Sequence, residues 1–194
     1  MARVALDHCL TGMEFAAGIP GSVGGALVMN AGAYGSEIKN ILKSARVMTN
    51  EGEVLELSVD ELELGYRTSC IPHRGYTVLE ASFQLEPGDQ EAVEARMKEL
   101  AARRREKQPL EYPSAGSTFK RPRGYFAGKL IEDAGLRGYG MGGARVSEKH
   151  CGFVINGGNA TASDVMALCG HIRKTVMEQS GVELEMEVKR WGEF

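Results

Sequence analysis

Residues 18–32 begin Gly18-Ile19-Pro20-Gly21-Ser22-Val23-Gly24-Gly25-Ala26 and end Met29-Asn30-Ala31-Gly32. Glycines this closely spaced let backbone N–H groups come up against a phosphate or a flat ring where a Cβ would stand in the way. The stretch is not a GxxxxGK[ST] phosphate loop, because no Lys-Ser or Lys-Thr follows, and it is not GxGxxG after a strand. On composition alone, a set of tight turns in a small sheet is the alternative reading.

Working outward, residues 4–10 read as if inside a helix. SARVMT (44–49), the turn tripeptide Asn50-Glu51-Gly52 and EVLELS (53–58) form a hairpin signal. TVLEASFQL (77–85) predicts a strand with Leu79, Ala81, Phe83 and Leu85 on one face. A helix over Gln90–Glu106 carries Val93, Met97 and Leu100 as its apolar stripe, with Glu91 and Glu94 near its start and Arg103, Arg104 and Arg105 near its end, as the helix dipole favours. QPLEYPSAGS (108–117) has two prolines and little apolar content, and marks a boundary. Beyond it the pattern predicts a helix over Ala127–Ala134 capped by Gly135, a buried strand GFVIN (152–156), and a helix capped by Thr161 or Ser163 with Val165, Cys169, Ile172 and Val176 inward. A last strand over 182–191 sets Val182, Leu184, Met186 and Val188 against Glu183, Glu185, Glu187 and Lys189.

The whole chain has 194 residues, of which 43% are hydrophobic and 25% charged, and a net charge of −3. This excludes a disordered chain and argues against a nucleic-acid binder driven by bulk positive charge. No apolar run approaches the ~18 residues of a membrane span, and the first residues lack the apolar core of a secretory signal. Glycine is the outlier, at 25 of 194 residues. Cys9, Cys70, Cys151 and Cys169 form no CxxC pair, and His8, His73, His150 and His171 have no ligand spacing, so the expectation is reduced thiols and no metal.

The stretch GMEFAAGIPGSVGGALVMNAGAYGSE (12–37) resembles the second flavin-binding segment of the UDP-N-acetylenolpyruvoylglucosamine reductases, also called UDP-N-acetylmuramate dehydrogenases. Further stretches match in the family's order: Gly65-Tyr66-Arg67-Thr68-Ser69, Pro113-Ser114-Ala115-Gly116-Ser117-Thr118-Phe119-Lys120, and Leu184-Glu185-Met186-Glu187-Val188. LIEDAGLRGYGMGGARVSEKHCGFVINGGNAT (130–161) is similar to the family's substrate domain. Arg121 stands where the family often has Asn.

The resemblance implies an α+β fold. Residues 1–86 would be the second part of an FAD-binding domain of the vanillyl-alcohol-oxidase type, 87–106 a connecting helix, and 107–194 an α+β substrate-binding domain. The family's N-terminal flavin subdomain precedes the point where this chain begins. The chain alone is therefore expected to hold FAD weakly and to leave apolar surface uncovered around Ile19, Val23, Leu27 and Val28. The implied cofactors are FAD and NADPH. The implied substrate is UDP-N-acetylenolpyruvoylglucosamine, reduced to UDP-N-acetylmuramate for peptidoglycan in cell-wall synthesis. The implied setting is a cytoplasmic monomer, with no nucleic-acid partner and no membrane span.

That reaction builds negative charge toward a carboxylate and needs a proton at the second carbon. The resemblance gives Arg67 the first task, Ser117 the second and Glu187 stabilisation of the enol. Alone, Arg67 reads as a surface residue and Ser117 as a loop residue. Alternation cannot separate Glu187 from Glu183 and Glu185. One reaction requires the last strand to return toward a cleft between the two halves. Gly18, Ile19, Pro20, Gly21, Ser22, Gly24, Gly25, Asn30, Ala31 and Gly32 are the implied FAD contacts, and Tyr66, Arg104, Lys107, Lys120 and His150 the implied substrate contacts. Two other readings remain: a non-catalytic fragment that binds a UDP-sugar without flavin, and a different flavoenzyme such as a carbohydrate or alcohol oxidase. SAGSTFK and LEMEV argue against the latter.

Overall fold

Leu42, Ala45 and Val47 turn inward along one strand while Lys43, Arg46 and Met48 stay exposed, and this strand centres the first sheet. The structure is a computed structural model that describes residues 1–192, and the chain divides into two units, Met1–Arg103 and Arg104 onward. In chain order the first unit contains α1 (Ala2–Asp7), β1 (Leu10–Thr11), α2 (Val23–Val28), β2 (Gly32–Ala33), β3 (Ser36–Glu37), β4 (Leu42–Met48), β5 (Val54–Ser58), α3 (Cys70–His73), β6 (Thr77–Phe83), β7 (Glu86–Pro87) and most of α4 (Gln90–Lys107). The main sheet is antiparallel in the order β5-β4-β6. Its hairpin closes through the Thr49 amide to the Glu53 carbonyl at 2.9 Å, with Gly52 at φ 86. Leu27, Val47, Leu62 and Ile71 are the best-buried members of its core.

Ala81, Phe83 and Leu85 pack against the core as expected, and Leu79 alone of the expected face is corrected. Val47 pairs with Val78 and Arg46 with Glu80, so Leu79 is an extra residue that reverses the alternation. Leu79 is 50% exposed, and Val78 packs against the core in its place. The expectation of uncovered apolar surface is corrected as well: Leu27 is fully buried, and Ile19, Val23 and Val28 are half-buried against the same core.

The second unit contains β8 (Ser114–Ser117), α5 (Ala127–Asp133), β9 (Gly140–Met141), β10 (Ala144–Val146), β11 (Phe153–Asn156) and α6 (Ala162–Ser180). Its antiparallel sheet has the order β8-β11-β10-β9. Thr161 caps α6 in a reciprocal box with Asp164, and Gly181 ends it at φ 69. Leu168, Cys169, Ile172 and Val176 of α6 pack with Ile131 of α5 and with Leu184. Both units mix helix with antiparallel sheet, an α+β architecture. The unit division falls inside α4, between Arg103 and Arg104.

Two sequence expectations change here. The boundary stretch 108–117 contributes an edge strand, β8, whose small residues carry no apolar period. The last strand is not a full ladder: among the described residues it makes one antiparallel bridge, Phe119 with Met186.

Candidate active site

In the first unit the glycine segment separates into two parts. Gly18, Pro20, Gly21, Ser22 and Gly25 are exposed, with Gly18 at φ 79 and Gly21 at φ 130. Ser22 caps α2, its Oγ accepting the Gly25 N–H at 3.0 Å. A Cβ built on Gly21 would meet nothing within 4 Å, so that backbone is open to a ligand. Ile19 and Gly24 are half-buried behind this loop.

Asn30, Ala31 and Gly32 form the inner part. The Ala31 N–H donates to the Ala26 carbonyl at 2.8 Å, and the Ala31 carbonyl accepts the Ile38 N–H at 3.0 Å. A Cβ on Gly32 would lie 2.8 Å from the Ser36 carbonyl, so this glycine is required by the β2–β3 hairpin itself. Asn30 is 1% exposed, with φ 41. Its Nδ2 donates to the Gly65 carbonyl at 3.1 Å, and its Oδ1 accepts the Lys39 N–H at 2.9 Å. The Asn30 side chain is therefore committed inside the fold.

Gly65 and Thr68 exchange backbone hydrogen bonds at 3.1 and 3.3 Å and close a tight turn over Tyr66 and Arg67. Arg67 has φ 54, a conformation uncommon for a non-glycine residue and concentrated at functional sites. Its guanidinium lies 5.2 Å from the ring centroid of Tyr66, which is 53% exposed, and reaches the Gly32 carbonyl at 3.4 Å. Ser69, 2% exposed, donates through Oγ to the Val28 carbonyl at 2.9 Å and also caps α3.

In the second unit, β8 pairs with β11 and presents Ser117 on the surface, its Oγ donating to the Phe119 carbonyl at 3.3 Å. The chain beyond Leu184 lies along the segment that follows β8. The Lys120 N–H donates to the Glu185 carbonyl at 2.8 Å, and the Glu187 N–H to the Thr118 carbonyl at 2.9 Å. The Glu187 main chain thus comes against Thr118, the residue after Ser117. The structure also separates the three glutamates that alternation left equivalent. Glu183 pairs with Arg173 and Glu185 with Lys120, both as well-exposed partners, whereas Glu187 is half-buried.

His150 is tied to its own loop. Its Nδ1 accepts the Gly152 N–H at 3.1 Å, and its ring meets Phe153 edge-on at 5.1 Å. A Cβ on Gly152 would come within 2.9 Å of this ring. Burial, rather than the nearby Lys107 cation, is the larger cause that holds the imidazole below its ordinary pKa. Arg104 is half-buried and Lys107 exposed in the last turn of α4. An open groove of about 450 Å³ also lies in this unit, walled by Glu111, Tyr112, Arg145 and Lys149, and none of the expected site residues lines it.

The sequence reading missed Ser69 and Thr118. Thr118 is 3% exposed, and its Oγ1 accepts the Val154 N–H at 2.9 Å. For Asn30 the signal was present: an Asn among glycines tolerates positive φ and bonds nearby backbone. Among the described residues no cluster of His, Cys, Asp or Glu can hold a metal ion, and no helix is long and apolar enough to cross a membrane.

Residues 2–58 match the family described as an FAD binding domain. Residues 108–191 match the one described as the C-terminal domain of UDP-N-acetylenolpyruvoylglucosamine reductase. The class is therefore an FAD-binding-domain protein with a reductase-type α+β C-terminal domain. The chain is 64% identical to the UDP-N-acetylenolpyruvoylglucosamine reductase of Lachnoclostridium phytofermentans over 96% of its own length and 60% of that protein's. It is 60% identical to the one of Agathobacter rectalis over 100% of its own length and 62% of that protein's. The crystal structure of the reductase from Thermus caldophilus superposes with a TM-score of 0.85 at 34% identity, covering 98% of this chain and 68% of that one. The chain belongs to the UDP-N-acetylenolpyruvoylglucosamine reductase family. It spans about 60% of the length of these two curated relatives.

Proposed function

We propose that this chain serves an NADPH-dependent flavoenzyme that reduces UDP-N-acetylglucosamine enolpyruvate to UDP-N-acetylmuramate, a cytoplasmic step toward peptidoglycan. The observation that supports the reading is the backbone pairing of 118–120 with 185–187, which brings the Glu187 main chain to Thr118, next to Ser117 in the chain.

The exposed Gly18–Ser22 loop, open where a Cβ would otherwise project from Gly21, fits a flat ring or a diphosphate, and would hold FAD together with Gly24 and Gly25. When bound, FAD supplies the two-electron chemistry that links NADPH to the enolpyruvyl double bond. Arg67 holds the enolpyruvyl carboxylate through paired hydrogen bonds and offsets the charge that develops there. Tyr66, on the same turn, flanks the substrate. Ser117 Oγ gives its proton to the second carbon and recovers one from solvent. Glu187 steadies the enol. Lys120, Arg104 and Lys107 offer positive charge to the substrate's diphosphate.

Incubating the flavin-loaded protein with NADPH and UDP-N-acetylglucosamine enolpyruvate tests this. The expected product is the UDP-sugar heavier by two hydrogens, formed one for one with NADPH oxidised. NADPH consumption without that product would overturn the reading.

A further inference from the structure

We propose that Asn30 and Ser69 are positioning residues that aim Arg67, so that the inner end of the glycine segment serves the reducible group rather than the cofactor. The inference rests on the reading of Arg67 as the carboxylate clamp. It begins from two nearly inaccessible polar side chains, Asn30 at 1% and Ser69 at 2% exposure. Each reaches across the sequence to one end of the same turn. Asn30 donates to the carbonyl of Gly65, where the turn begins, and Ser69, just past its end, donates to the carbonyl of Val28. The partners Val28 and Asn30 sit two residues apart, at the end of α2 and just beyond it. The Gly65–Thr68 turn is therefore pinned at both ends to one short piece of backbone.

What lies between the pins is the strained residue. A positive φ at a long side chain persists only where its surroundings over-determine it. Asn30 itself has φ 41, and its Oδ1 is fixed by the Lys39 N–H at 2.9 Å, so the donor aimed at Gly65 is held from behind. A turn with a strained centre and both ends tied by buried side chains sets the direction of one guanidinium closely. Bidentate carboxylate recognition requires that, since both N–H groups must meet both oxygens at once.

Four substitutions test it: Arg67→Ala, Asn30→Gly, Ser69→Ala and Ser69→Thr. Asn30→Gly keeps the positive φ and removes both side-chain bonds. Ser69→Thr keeps the hydroxyl. In Asn30→Gly and Ser69→Ala the Thr68 amide should exchange hydrogen about tenfold faster while the β4 amides keep their rates. In the flavin-loaded protein both should slow enolpyruvyl reduction on the order of 10²-fold, leave NADPH oxidation without UDP-sugar unchanged, and cost nothing further in the Arg67→Ala background. Ser69→Thr should restore both readouts. Unchanged Thr68 exchange, or an equal loss in the Arg67→Ala background, would overturn the proposal. If Asn30→Gly does not fold, the Ser69 pair decides alone: Ala behaving as Thr would overturn it. A normal rate in Arg67→Ala would instead overturn the carboxylate-clamp reading, and the exchange measurement would still decide the tether.

Discussion

The turn that carries Arg67 and the strand end that carries Ser117 are built by opposite means. Arg67 sits at positive φ between ends tied by the buried side chains of Asn30 and Ser69. Ser117 and Glu187 lie in a segment held largely by main chain: β8 on β11, the Phe119–Met186 bridge, and the amides of Lys120 and Glu187 on the facing carbonyls, with the Val154 N–H on the Thr118 hydroxyl and the Lys120–Glu185 ion pair added to them. Backbone pairing hardly depends on which side chains the paired residues carry. A side-chain tether depends on one atom. Substitutions near the site should therefore disturb the first region more readily than the second.

Core truncation sharpens this contrast with the largest loss of stability. Leu27 in α2 and Leu168 in α6 are both fully buried, and changing either to Ala should cost about 2–5 kcal/mol in denaturant unfolding. Leu27→Ala should also speed exchange at Thr68, because α2 carries the Val28 carbonyl that Ser69 grips. Leu168→Ala should leave exchange at Thr68 unchanged. A smaller effect is expected at the α6 cap, where Thr161→Ala removes the hydroxyl that accepts the Asp164 N–H at 3.1 Å, for about 1 kcal/mol.

The pH dependence comes next. His150 is held below its ordinary pKa by burial. Above 6.5 it is neutral in both folded and unfolded chains, and its contribution to stability is complete. As pH falls from there through the folded pKa, the unfolded chain binds the proton first, and stability is lost. Between pH 7.5 and 5 the wild type should lose more stability than His150→Asn in denaturant titrations, and equal slopes would contradict the assignment. The smallest perturbation is thiol labelling of the native protein. Exposed Cys9 should be alkylated first and Cys169 last, since Cys169 is fully buried and burial pushes its thiol up to about 11. Peptide mass analysis over time would check this order.

Much of this organisation was legible in the sequence because it is periodic or capped. The 44–58 hairpin carries its own turn, and α6 carries both Thr161 and Gly181. Motif order singled out Arg67, Ser117 and Glu187 as candidates. The sequence did not reveal Leu79 as a bulge, because strict alternation assumes an unbroken ladder. It also hid β8 and β9, strands too short to carry a period, whose pairing comes from β11 and β10 rather than from their own pattern. The part played by the Asn30 side chain was hidden for a different reason. A polar residue in a glycine loop gives no sign of which distant backbone it bonds, here Gly65 and Lys39.

The central proposal is that Ser117 supplies the proton for enolpyruvyl reduction and has no part in the oxidation of NADPH. Rapid mixing of the Ser117→Ala protein, loaded with flavin, tests it most directly. Enolpyruvyl reduction should slow by ~10²–10⁴-fold, the usual loss for a removed general acid, while NADPH oxidation without UDP-sugar keeps its wild-type rate. Equal slowing of the two steps, or no slowing of either, would contradict it.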